Sequence, residues 1–331
     1  MNQLVQRTNF KKIGTINYAK NQTIREQLPI SGKVRRLMFE LNITNTITDS
    51  TNGVVVARSP LSIVSSMRII ADRDITLKEG RLSDFKDRMY VTNKLPAETQ
   101  DTVANNATTV KSRVLVNFVT PGSVRGVDTV LDMNRHQRLD LEMTFGDQES
   151  IVANCDDAST DPTGTIDVLA EVSNYDPAPN GYFIERGFET SSLGTSANTA
   201  LEIPLTRGPR QNYHHIILLA EDLVANSGRT LVSTALNSIR IDQQGAGGLS
   251  TPFGPVSGDE LQHEFDLTFD REGVQTGIYP IVFQPRFDGR QTFNLTSGGL
   301  NDLKLLINHD AFTTAGYIRV LQGTVEPILL S

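Results

Sequence analysis

The chain has 331 residues and a net charge of −7, with a pI of about 5.3. This length suits two domains of ordinary size, and the acidic balance excludes nucleic-acid binding through bulk positive charge. A single cysteine, Cys155, excludes an internal disulfide and a cysteine-rich zinc site. No apolar run approaches the roughly 18–20 residues of a membrane-spanning helix, and residues 1–10 lack the apolar core of a signal peptide. We therefore expect a protein that is made and kept in a soluble compartment, or that leaves the cell by a route other than an N-terminal signal.

The first 36 residues are strongly basic. They contain one acidic residue, Glu26, and eight basic ones: Arg7, Lys11, Lys12, Lys20, Arg25, Lys33, Arg35 and Arg36. The net charge is +7 in this segment and −14 in the remainder. Such an arm indicates an anionic partner, either phospholipid headgroups or nucleic acid. A solubilising tail explains the same composition, and the sequence leaves both interpretations open.

Along the first half, apolar and polar residues alternate with the two-residue period of half-buried strands. One run places Leu37, Phe39 and Leu41 on one face, and gaps rich in Gly, Pro, Asn, Asp and Ser separate such runs. Eight strands are predicted, which is the number in a jelly roll of two Greek keys. They lie near residues 13–17, 34–43, 62–71, 75–78, 110–119, 128–132, 138–145 and 165–173.

The second half repeats the pattern of the first. Ser66–Ile69 resembles Ser238–Ile241, Leu139–Met143 resembles Leu303–Ile307, and Thr165–Leu169 resembles Tyr317–Leu321, all in the same order. A short helix is predicted after the first pair in each half, near Arg81–Tyr90 and Asp259–Glu264. Ser257 and Glu260 have the spacing of a capping box at the start of the second helix.

These patterns predict an all-β protein with two consecutive eight-stranded jelly-roll β-sandwiches and short helices in the loops. The predicted boundaries are a basic N-terminal arm at 1–31, the first jelly roll at 32–175, a linker at 176–199, and the second jelly roll with a C-terminal tail at 200–331. The linker is placed by the Pro, Gly, Ser and Thr residues that interrupt the alternation.

No arrangement of residues indicates catalysis, a cofactor or a metal. A cupin-type metal site needs His-x-His, but His214 and His215 are adjacent and would point to opposite faces of a regular strand. No serine-hydrolase elbow or phosphate-binding loop occurs. We therefore predict no catalytic, cofactor-binding or metal-binding residues, while a structural calcium ion at Asp156–Asp161 stays open as an alternative.

Three segments resemble a known family. They are Gly32–Leu41, Ser59–Asp72 and Asp74–Lys78, a first long strand followed by a strand pair that leads into a short helix. Together with the duplication over residues 32–327, they resemble the double jelly-roll major capsid proteins of tailless icosahedral viruses, the lineage of adenovirus hexon. The chain is most similar to the compact versions in membrane-containing bacteriophages, of the corticovirus and Flavobacterium lipid-containing phage type.

The resemblance implies a non-enzymatic shell protein in the virion, made in the host cytoplasm. It implies a homotrimer whose six barrels form a pseudo-hexagonal tile, with neighbouring trimers, penton proteins, minor capsid proteins and internal membrane lipids as partners. It also places a basic arm beneath the shell, with Arg7, Lys11, Lys12, Lys20 and Arg25 near the headgroups of the membrane.

Other functions remain in competition. A minor capsid or spike protein would share the fold, but a penton protein needs only one barrel. A carbohydrate-binding β-sandwich would need surface aromatic residues, and the chain has no tryptophan. An enzyme on a double β-sandwich would need converging polar groups, and none can be identified in the sequence.

Overall fold

The computed structural model describes most of the chain. The described residues are 10–47, 52–92, 108–121, 126–154, 161–205, 212–225, 227–233, 236–245, 248–269, 276–283 and 302–328. The chain divides into two compact units, with the main boundary after Phe183. The confirmed fold class is all-β, and the described residues include two α-helices.

The first unit contains eleven strands among the described residues. They are β1 (Phe10–Asn17), β2 (Thr23–Gln27), β3 (Lys33–Asn45), β4 (Val54–Val55), β5 (Val64–Ala71), β6 (Ile75–Gly80), β7 (Thr108–Asn117), β8 (Leu131–Asp132), β9 (Leu139–Phe145), β10 (Val152–Ala153) and β11 (Thr163–Ser173). Short 3-10 helices span Leu61–Ile63, Gly126–Thr129, Met133–Arg135 and Gln148–Ser150. The helix α1 spans Leu82–Thr92.

Eight strands of the first unit form two antiparallel sheets around one core, while β8 adds to β3 and β4 pairs separately with β10. One sheet has the order β1-β11-β3-β7 and the other has the order β2-β9-β5-β6. The alternation in β3 explains this packing, because Leu37, Phe39, Leu41 and Ile43 are at most 1% exposed and all face the core. Full burial of each such side chain stabilises the fold by about 1.5–3 kcal/mol.

The second unit contains the remaining strands and the helix α2 (Gly258–Phe269). The strands are β12 (Gly181–Glu189), β13 (Asn198–Pro204), β14 (Asn212–Val224), β15 (Gly228–Leu231), β16 (Leu236–Gly245), β17 (Gly248–Val256), β18 (Ile278–Val282), β19 (Asp302–His309) and β20 (Gly316–Pro327). One sheet places β20 between β12 and β14, with β18 on the other side of β14; the second has the order β13-β19-β16-β17.

The two units have the same topology. In chain order, β1, β2, β3, β5, β6, β7, β9 and β11 correspond to β12, β13, β14, β16, β17, β18, β19 and β20. The helices also correspond, since α1 follows β6 and α2 follows β17. This is the jelly-roll order in both units. Each sequence pair that predicted the duplication falls on a pair of corresponding elements.

The strand prediction for the first unit was wrong at two places. The predicted strand at 128–132 is a 3-10 helix followed by the two-residue β8, and the missed strand is β2. Among the described strands β2 pairs with β9 alone, at the edge of the sheet, and Ile24 is the one aliphatic residue of β2. An exposed edge strand needs no alternating apolar residues, so β2 carries no two-residue pattern.

The domain boundaries also differ from the prediction. Residues 10–27 of the predicted arm form β1 and β2, and Ile16 lies in the core at 1% exposure. Residues 181–189 of the predicted linker form β12, the first strand of the second jelly roll. The Pro-rich and Ser-rich segments on either side of β12 concealed this strand in the sequence.

The predicted capping box is present at α2. The backbone N–H of Ser257 donates to Glu260 Oε2 at 2.7 Å, and the backbone N–H of Glu260 donates to Ser257 Oγ at 3.1 Å. These reciprocal bonds satisfy two N–H groups that the first turn of a helix otherwise leaves without partners.

Candidate functional site

The predicted basic residues do not form one cluster in the first jelly roll. Arg7 lies outside the described residues. Lys11 lies at the start of β1, opposite Ala170, whereas Lys20 follows the end of β1 and contacts Asp161. Arg25 lies on β2, in the other sheet. The described members are therefore distributed over two sheets and both ends of β1.

Three of these cations are neutralised by carboxylates. Lys12 Nζ lies 2.8 Å from Asp167 Oδ1, and Lys20 Nζ lies 2.8 Å from Asp161 Oδ1. The ammonium of Lys12 holds the pKa of Asp167 below its usual range, so that carboxylate is ionised at neutral pH. Lys11 is exposed and makes no ion pair among the described residues. Among the described residues of the predicted arm, Lys11 is therefore the one whose positive charge remains available to a binding partner.

Arg25 binds a buried carboxylate that a second arginine shares. Its guanidinium donates to Asp140 Oδ2 at 2.9 Å, and Arg138 Nε donates to Asp140 Oδ1 at 3.0 Å. The Asp140 side chain is 0% exposed. Burial alone would raise the pKa of this carboxyl, but the two arginines outweigh it and lower the pKa. Arg25 thus links β2 to the rest of its sheet.

A β-bulge in β3 places two consecutive arginines beside the same carboxylate. Glu171 pairs with Arg36 and Val172 pairs with Val34, so Arg35 is the extra residue. Arg36 donates to Glu171, and Arg35 Nη1 lies 3.9 Å from Glu171 Oε1. Arg35 also donates from Nε to Asp176 Oδ2 at 2.7 Å. The bulge therefore creates a compact group of two cations and two anions.

The corresponding strand of the second jelly roll has the same bulge. Gly323 pairs with His215 and Thr324 pairs with Tyr213, so His214 is the extra residue. The expectation that the two histidines point to opposite faces is wrong, because the bulge interrupts the alternation. Their Nδ1 atoms lie 2.9 Å apart, and both rings are buried.

The second bulge differs from the first because it has no carboxylate at the position that corresponds to Glu171. Glu171 of the first jelly roll corresponds to Gly323, which leaves room for the imidazole of His215. The same backbone feature thus holds an arginine–carboxylate group in one barrel and a histidine pair in the other. In the first jelly roll the bulge shifts the alternation of buried residues, since Val34 and Leu37 are both buried although they are three residues apart.

No group of three or more His, Cys, Asp or Glu side chains is arranged to hold a metal ion in the part of the chain that the structure describes. Cys155 and most of the calcium alternative at Asp156–Asp161 lie outside that part. Asp161 is described, and its carboxylate binds Lys20. Within the same described ranges, neither helix is long and apolar enough to cross a membrane.

Comparison with known proteins identifies the fold. No family model matches the sequence, and no curated protein matches it. A chain in the atomic structure of Sulfolobus turreted icosahedral virus superposes with a TM-score of 0.71 at 12% identity, over 97% of this chain and 91% of that one. The chain is a double jelly-roll protein.

Two further structures support the double jelly-roll assignment from end to end. The major capsid protein P2 of bacteriophage PM2 matches with a TM-score of 0.58 at 13% identity, over 95% of this chain and 97% of that one. A chain of the PBCV-1 virus capsid matches with a TM-score of 0.58 at 14% identity, over 98% and 97%. The resemblance found in the sequence is therefore confirmed as a likeness of fold.

The segments that carried the resemblance lie where the fold requires them. Gly32–Leu41 leads into β3, Ser59–Asp72 contains β5, and Asp74–Lys78 contains most of β6. The double jelly-roll assignment depends on these strands and their counterparts in the second unit. It does not depend on the basic residues, which the structure places separately.

Proposed function

We propose that the protein is a major capsid protein that builds the icosahedral shell of a virion and performs no catalysis. The observation that carries this proposal is the presence of two complete jelly rolls in one chain, which aligns over almost its whole length with chains of viral capsids.

The proposed assembly unit is a homotrimer. Three chains with two similar barrels each provide six barrels, and closed threefold symmetry then gives a pseudo-hexagonal tile. The proposed partners are neighbouring trimers, penton proteins and minor capsid proteins, and the proposed location is the virion after synthesis in the host cytoplasm. The shared topology of the two units supports this arrangement, because similar barrels can occupy similar positions in a ring.

We expect the purified chain to have a solution mass of three times 36.4 kDa. Size-exclusion chromatography with light scattering measures this mass, and electron microscopy of the same sample would show pseudo-hexagonal particles. A monomer that persists at high protein concentration would contradict the trimer.

We also propose that the N-terminal segment faces anionic headgroups of an internal membrane. The support is the charge of +7 over residues 1–36 and the availability of Lys11. Binding to an anionic surface gains less from Lys12, Lys20 and Arg25, because each of them already has a carboxylate partner. A lysine near an anionic surface contributes about 1 kcal/mol to binding.

Lys11→Gln is expected to weaken binding to vesicles that contain phosphatidylserine by about fivefold at low salt. Lys12→Gln is the matched control, since Asp167 already neutralises Lys12, and we expect a smaller change. Vesicle cosedimentation measures both. Point substitutions are preferred to a deletion of residues 1–25, which would remove β1 and part of β2. Equal losses in the two variants, or no vesicle binding by the unsubstituted chain, would contradict the proposal.

A further inference from the structure

The bulge of the second jelly roll holds two titratable side chains in direct contact. His214 and His215 are 4% and 0% exposed, and their rings are nearly perpendicular, with centroids 5.2 Å apart. The two Nδ1 atoms lie 2.9 Å apart. At this distance one Nδ1 carries a proton and donates it to the lone pair of the other, so at least one imidazole is neutral.

This contact limits the pair to one positive charge. If both imidazoles were protonated, two Nδ1–H groups would face each other, and two cations in a buried site repel each other far more strongly than in water. The ring of His215 cannot move toward β20, because a Cβ atom at Gly323 would already lie 2.2 Å from its Cε1. The folded strand pair therefore binds at most one proton at this position.

The charges around the histidine pair do not remove this limit. The bulge lies between β18 and β20, and β12 lies on the far side of β20. Arg186 and Glu326 interact electrostatically with Tyr213, the residue before the pair. A carboxylate stabilises one imidazolium, but it does not separate two that are in contact. The other charged and titratable residues of these strands are Tyr182, Glu185 and Glu189 on β12, Glu221 and Asp222 on β14, Tyr279 on β18, and Tyr317 and Arg319 on β20.

The corresponding bulge of the first jelly roll has no such limit. Arg35 and Arg36 contact Glu171 and Asp176 there, so two positive charges are matched by two negative charges. Arginine keeps its proton throughout the pH range in which proteins fold, whereas histidine ordinarily changes its charge between pH 5 and 8. The two jelly rolls therefore place groups with opposite responses to pH at the same point of the same fold.

We propose that the histidine pair is an acid-sensitive contact, which loosens β14 from β20 as the pH falls below about 6.5 while β3 and β11 stay closed. Once the strands separate, each histidine takes up its own proton, so the open state binds one proton more than the closed state. Acid therefore shifts the equilibrium toward opening, and a return to higher pH restores the contact. The inference concerns the single chain and does not rest on the proposed assembly.

Hydrogen exchange of the full chain, measured by mass spectrometry, tests the proposal. Exchange rates at pH 7.5 and 5.5, each corrected for the intrinsic rate at that pH, give the opening equilibrium of each strand. A solvated histidine is about one-tenth protonated at pH 7.5 and about nine-tenths at pH 5.5, so the extra proton should increase the opening of β14 and β20 about tenfold. We expect a smaller increase in peptides from β3 and β11.

His214→Asn separates the histidine pair from other effects of acid. The asparagine amide can accept a hydrogen bond from a protonated His215, so the tenfold increase in the opening of β14 and β20 should be lost. His263→Asn is the matched control, since His263 is exposed on α2, and the increase should be retained. The same increase in the His214→Asn chain as in the unsubstituted chain would overturn the proposal. It would also be overturned if β14 and β20 of the unsubstituted chain were no more acid-sensitive than β3 and β11, a comparison that requires no variant to fold.

Discussion

Asp222→Ala is expected to destabilise the second jelly roll by about 3–5 kcal/mol, the largest effect of any single polar substitution that we predict. Asp222 lies near the end of β14 and is 2% exposed. Its carboxylate accepts hydrogen bonds of 2.7–3.2 Å from three successive backbone N–H groups, those of Thr313, Thr314 and Ala315.

These bonds hold the loop between β19 and β20 against the end of β14. Removing the carboxylate leaves three N–H groups without their acceptor, and a buried donor that loses its partner costs about 1–3 kcal/mol. Because the loop can rearrange and admit water, the expected total is less than the sum of three such costs.

Urea denaturation measured by circular dichroism gives the change in the free energy of unfolding. Asp310→Ala is the matched control, because Asp310 is in the same loop but is exposed and accepts a bond from the exposed side chain of Asn237. We expect the control to change stability by less than about 0.5 kcal/mol. Similar losses in the two variants would show that the carboxylate of Asp222 does not hold the loop.

Gly323→Ala is expected to destabilise the protein by about 2–3 kcal/mol, because the bulge of the second jelly roll leaves no room for a methyl group. A Cβ atom at position 323 would lie 2.2 Å from Cε1 of His215, whose side chain is 0% exposed. The buried imidazole cannot move aside without disturbing its contact with His214.

A double-mutant cycle with His215→Ala separates this clash from other effects of the methyl group. With the imidazole removed, Gly323→Ala should cost less than about 0.5 kcal/mol, so the two substitutions should be strongly non-additive. Gly14→Ala in β1 is the control, since a Cβ atom at position 14 would have no neighbour within 4 Å. If Gly323→Ala has the same cost with and without His215, the close packing of the imidazole is not the cause.

The features that the sequence predicts correctly are those that depend on patterns among neighbouring residues. The two-residue alternation of apolar residues, as in Leu37, Phe39 and Leu41, predicts strands and their buried faces. The repeated order of such strands predicts the duplication, and the spacing of Ser257 and Glu260 predicts the start of α2. Each of these signals spans a few neighbouring residues, and the backbone geometry of strands and helices converts it directly into structure.

The contacts of the candidate site could not be predicted in this way, because they join residues that are distant in sequence. The basic residues looked like one arm, but Arg25 binds Asp140 from 115 positions away, and no local pattern marks that pair. The adjacent histidines looked divergent, because a regular strand alternates faces and the bulge is visible only once β14 is paired with β20. The all-β class, the two jelly rolls and their helices can be predicted from the sequence, because hydrophobic burial selects strands by local periodicity. The neutralised cations and the positions of the bulges cannot, because they depend on the partner that folding brings alongside each strand.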